Sequence, residues 1–227
     1  MSTPVSTRPR ARLAATAGLL VALAIASAGP AWSKGSSVRP ATAKAHGISL
    51  AEMAEAVAAF TLSDNDPAAY PDTPLQVLYI DGVDNWQMVD GGLVATANDS
   101  FTVAPGTTLY VPLFNLGEQP PYLEPFPSTP AEASSYFFDV TQYGGSFEIT
   151  VDGVTTPIGP EYLVGPITEE GSGTRLVTLG AFVGPLSVGT HTVTVDGGIY
   201  GAAVAATHGV SFVEEHLNYT VTVLPSA

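Results

Sequence analysis

The sequence predicts an all-β fold, an antiparallel β-sandwich preceded by a short N-terminal helix. Three observations carry this. Apolar and polar residues alternate with a period of two, as where Phe147, Ile149 and Val151 are interleaved with Ser146, Glu148 and Thr150. Asp-Gly pairs at 81, 90, 152 and 196 put residues that accept positive φ between such runs. The short strand-like segments are as numerous as two packed antiparallel sheets require.

In chain order, Arg8, Arg10 and Arg12 precede an apolar run from Leu13 to Ala28, with small residues at Ala31 and Ser33. That is the order of a secretory signal peptide, assigned to residues 1–33. The run breaks at Gly29-Pro30, short of the roughly 20 apolar residues of a spanning helix, so cleavage is expected over retention as an anchor. Two small-x-small sites fit, ending at Ala28 and at Ser33, and the second is preferred. The arginines are never adjacent, which favours the general secretory route over twin-arginine export. Residues 34–47, rich in Ser, Pro, Ala and Lys, read as a flexible spacer.

Residues 48–74 read as a short helix and a connection. Ser49 with Glu52 three residues later forms a capping box, and Leu50, Met53, Ala54, Val57 and Phe60 fall on one helical face. Asp64, Asp66, Pro67, Pro71, Asp72 and Pro74 mark the irregular connection. The sandwich domain is assigned to 75–227, with strands expected at 75–80, 92–96, 108–114, 135–140, 146–151, 176–183, 192–195 and 216–223. In the last of these Leu217, Tyr219, Val221 and Val223 alternate with His216, Asn218, Thr220 and Thr222. A transmembrane barrel is excluded, because its outward faces would be apolar and these are Thr, Ser, Glu and Asn.

Composition narrows the partners. Seven Lys and Arg stand against 21 Asp and Glu, a formal net charge of −14. Beyond Ala45, Arg175 is the sole Lys or Arg. Binding to phosphate backbones or anionic lipids needs clustered cations, so nucleic acid and membrane surfaces are poor partners. Extracellular glycans, basic proteins and cations remain, alongside acidity that serves only solubility. There is no cysteine, which excludes disulfides and thiol chemistry. The chain after the signal is long enough to bury a core without such staples.

The segment Leu186-Ser-Val-Gly-Thr-His-Thr-Val-Thr-Val195 resembles the corner before a late strand of immunoglobulin-like sandwiches. His191 takes the position often held there by a Tyr that bonds back to upstream backbone. The segment from Phe101 to Asn115 is similar to a stretch of uncharacterised secreted bacterial proteins. These resemblances imply an immunoglobulin-like sandwich outside the cytoplasm and carry no chemistry.

Candidate chemistry is sparse. Gly171-Ser172-Gly173 lacks the strand-turn-helix setting of a serine nucleophile. The histidines at 46, 191, 208 and 216 show no zinc spacing, and His208, His216, Glu214 and Glu215 read as a solvated edge. Asp81, Asp84, Asn85 and Asp90 place four oxygen side chains around one turn, which suits calcium but lacks EF-hand spacing and reads first as an ordinary Asp-rich turn. The connection 116–134 carries prolines at 120, 121, 125, 127 and 130 and reads as a loop without helix or strand. Its Tyr122 and Phe126 offer flat apolar faces and Glu118 and Glu124 offer acceptors, a set suited to glycan or peptide contact, unless the rings cover an open end of the sandwich. The functional expectation is a secreted, non-catalytic β-sandwich module for ligand binding or surface interaction. The alternative is a carbohydrate-active hydrolase using paired carboxylates.

Overall fold

In the computed structural model, residues 37–63, 65–80, 86–121 and 126–226 are described, and the expected signal peptide lies outside them. The first helix of the described residues is α1, Leu50–Leu62, built as the capping box requires. The Glu52 amide donates to the Ser49 hydroxyl, and the Glu52 carboxylate accepts from the Ser49 amide at 2.7 Å. Leu50, Met53, Ala54, Val57 and Phe60 are all buried on its inner face.

The described residues then form ten strands: β1 Gln76–Val77, β2 Trp86–Val89, β3 Gly92–Val103, β4 Leu109–Glu118, β5 Gly145–Val151, β6 Val154–Ile158, β7 Leu163–Thr168, β8 Arg175–Val183, β9 Gly189–Ile199 and β10 Val213–Val223. Two further helices interrupt them, α2 at Pro130–Phe138 and α3 at Ala202–His208. Strands β1-β4-β8-β7 make a four-stranded sheet and β2-β3-β10-β9-β5-β6 a six-stranded one. The two share one apolar core, in which Phe114 of β4 meets Phe147 of β5 with ring centroids 5.3 Å apart. That arrangement is compatible with a β-sandwich. Helix α1 packs on the four-stranded sheet, so β8 is buried along almost its whole length.

The fold departs from the expectation in four places. It is β-rich with three helices among the described residues, and its sheets are mixed, because β1 runs parallel to β4 and β10 parallel to β3. Residues 135–140, expected as a strand, lie mostly in α2. Thr129 caps that helix by accepting from the Glu132 amide, and Pro130 occupies a first-turn position where its missing N–H removes no bond. Ala133 and Phe137, four apart, are its buried pair. The connection 116–134 is accordingly shorter than expected, with β4 running to Glu118 and α2 starting at Pro130. Finally, the described part of the expected spacer is fastened to β8: Val38 bridges to Val183, and the Arg39 amide donates to the Phe182 carbonyl at 2.8 Å. Val38 and Ala45 are buried there, apolar side chains that a free spacer would leave in water. No helix among the described residues is long and apolar enough to cross a membrane.

Candidate functional site

Of the expected site residues, Asp90, Glu118 and Phe126 are among those described. Asp90 sits in the β2–β3 hairpin turn at φ 49, followed by Gly91 at φ 83, the paired positive φ of a tight hairpin. Asp81, Asp84 and Asn85 lie outside the described residues, as do Tyr122 and Glu124. Glu118, at the end of β4, pairs with Arg175 on β8 at 2.5 Å. The Arg175 guanidinium lies 4.8 Å from the centroid of the Phe126 ring, and Phe126 is buried and in ring contact with Tyr136. Glu118, Arg175 and Phe126 thus tie the chain between β4 and α2 onto the sheet. A concavity of about 440 Å³ opens beside them, lined by Phe126, Pro127, Tyr136 and Gln142.

A cavity of about 460 Å³ lies between the sheets, and its geometry follows from one row of β10. Side chains two apart share a face, so Val213, Glu215, Leu217, Tyr219, Val221 and Val223 all point toward the core. Glu215 is the acid in that apolar row. The strands beside it supply Ala95 on β3 and Gly197 on β9, so neither puts a bulky side chain next to the carboxyl. Trp86 and Phe147 stand one strand further out, opposite Ala95 and Gly197. The facing wall is β4 from Pro112 to Leu116, where a register shift between Pro112 and Phe114 marks a bulge. Tyr79, Asn65 and His208 also line it, with Asn65 held by its amide donating to the Ile80 carbonyl at 2.8 Å.

Glu215 is partly exposed by surface area, and what it exposes lines the cavity. Burial alone pushes its carboxyl from 4.5 to about 8, with no ionic or hydrogen-bond partner among the described residues to offset the lost hydration. The acid is therefore held mostly neutral at pH 7. Burial, with the charges of Glu215 and Asp99, raises the Tyr219 phenol well above its ordinary range. Burial also lowers His208, favouring its neutral ring. Among the described residues that line the cavity, Glu215 is the one carboxylate. The expected solvated edge is split: His216 bonds Asp196 at 2.9 Å on the opposite face of β10, while Glu215 points inward.

A second constellation has the residue types of a hydrolase triad without its hydrogen-bond arrangement. His191 Nδ1 lies 2.7 Å from Asp152 Oδ2, and Nε2 lies 3.5 Å from the Ser187 hydroxyl. Nε2 is closer, at 2.7 Å, to the Ser187 carbonyl oxygen. A carbonyl only accepts, so Nε2 must donate, and a nitrogen already carrying a proton is no base for the serine. The group pins the start of β9 to the β5–β6 turn, aided by the Thr192 amide donating to Asp152 Oδ1 at 3.1 Å.

Sequence reasoning missed Glu215, although a signal was present. Extending the Leu217, Tyr219, Val221 alternation back by two steps reaches Glu215 and Val213. The adjacent Glu214, His216 and Asn218 made the stretch read as uniformly polar.

No protein-family model matches the chain, and no curated protein matches it. Among solved structures it is similar to the structure of PbICP-C in complex with falcipain-2, at 15% identity over 65% of this chain and 99% of that one, with a TM-score of 0.26.

Proposed function

We propose that this chain is a secreted, non-catalytic β-sandwich module that binds an extracellular ligand, and that the ligand seats in the cavity between the sheets. The observation that carries the reading is the pairing of a pocket-sized apolar space with one inward acid, Glu215, at its wall. Ligand sites are usually concavities of roughly 300–1,000 Å³ with mostly apolar walls and few polar anchors. The N-terminal Arg and apolar run supports export, and the His191 corner supports reading the two sheets as an elaborated immunoglobulin-like sandwich. A paired-carboxylate hydrolase would need a second acid facing Glu215, and the described residues of the lining supply none. The concavity beside Phe126 favours a second contact surface for a glycan or protein.

The test is a titration of the full chain with octanol, followed by the fluorescence of Trp86, which lines the cavity. Saturable one-to-one binding, with the fluorescence change abolished in Trp86→Phe, is expected. Octanol that fails to saturate, or a signal that persists in W86F, contradicts the cavity as the seat.

A further inference from the structure

We propose that the ligand is an organic ammonium, its cationic head on Glu215 and its apolar tail along the β4 wall. The proposal rests on the cavity being the ligand seat and adds the chemistry of what fills it.

Three features converge on a cation. Glu215 projects into the cavity without an ionic partner among the described residues, so an incoming ammonium would give a buried acid its missing counter-charge. The head would also meet aromatic lining, from Tyr79, Trp86, Phe114 and Tyr219, whose π faces attract cations more strongly once both are out of water. The net charge of −14 concentrates cations near the surface, with Arg175 the sole fixed opposing charge beyond Ala45 and that one paired to Glu118.

Among the described residues, the other titratable groups around the seat do not compete. Tyr219 on β10 and Tyr79 are phenols, His208 on α3 favours its neutral ring, and Asp99 on β3 adds negative charge near Tyr219. The β4 wall from Pro112 to Leu116 and the β9 residue Ile199 bring no ionisable side chain. A neutral ligand that accepted a hydrogen bond from the protonated acid would leave the proton where it is. An ammonium pairs with the carboxylate, so seating it must expel the Glu215 proton to solvent. The two chemistries differ in a countable proton.

The experiment is calorimetric titration of the full chain near neutral pH with octyltrimethylammonium and, separately, octanol, in two buffers of different ionisation enthalpy. A quaternary ammonium has no dissociable proton, so any proton released comes from the protein. The expected result is tighter binding of the ammonium than of octanol, close to one proton released per ammonium bound, and loss of both the release and roughly tenfold or more of ammonium affinity in Glu215→Gln. Equal binding of both ligands without proton release, or an E215Q chain that keeps the ammonium preference, overturns the inference and leaves the cavity reading standing. Binding of neither ligand overturns the cavity reading and the inference with it.

Discussion

At the residue scale, Glu215 is an acid where the packing of β10 asks for an apolar side chain. Its effect on stability has a definite sign. Below 4.5 the carboxyl is protonated in folded and unfolded chains alike. Between 4.5 and 8 the folded chain holds a proton that the unfolded chain has released, so stability falls as pH rises, and above 8 the full penalty of a buried charge applies. The shift corresponds to a few kcal/mol at about 1.4 kcal/mol per unit. Replacing Glu215 with Gln removes the ionisation and keeps the shape. Urea denaturation is expected to show E215Q near wild type below 4.5 and clearly more stable than wild type above 8. A variant equally destabilised at both ends would show that the carboxyl serves packing alone.

At the element scale, the strands with one wet face were legible because alternation survives in β5, β9 and β10. The helices were legible where a cap announces them, as Ser49 and Glu52 do for α1. The same Thr-x-x-Glu signature stands at Thr129 and Glu132, yet the run Tyr136-Phe137-Phe138 has strong strand character and hid α2. Prolines obscured β6 and β7, where Pro157 and Pro166 break the strand pattern. The parallel pairing of β3 with β10 joins residues more than a hundred positions apart, and local periodicity holds no trace of it. Two substitutions test the segment before α2. Thr129→Ala removes the cap acceptor and is expected to lower stability by about 1 kcal/mol. Phe126→Ala empties a buried site under Arg175 and is expected to lower it by roughly 3 kcal/mol, with a matching fall in Tm. An F126A chain with unchanged Tm would return Phe126 to the role of an exposed ligand contact.

For the whole molecule, the excess of acids sets the response to ions. Mutual repulsion among carboxylates with few opposing cations is screened by salt, so monovalent salt is expected to raise Tm. If Asp81, Asp84, Asn85 and Asp90 form a calcium site, low-millimolar calcium raises Tm beyond magnesium at matched ionic strength, by binding the folded chain preferentially. Equal shifts from the two ions would remove the case for that site. The cavity is also a property of the whole molecule, since β10, β4, α1 and α3 each supply part of its wall. That is why period and motif point to the strands but not to the site. Its one local trace is the parity of Glu215.

The central claim is that Glu215 stands in an apolar cavity built to hold a ligand. The most direct test follows the side-chain carboxyl carbon of Glu215 by nuclear magnetic resonance through a pH titration of the free chain. A midpoint near 8 is expected, falling when octyltrimethylammonium is bound, whereas an ordinary midpoint near 4.5 would contradict the account.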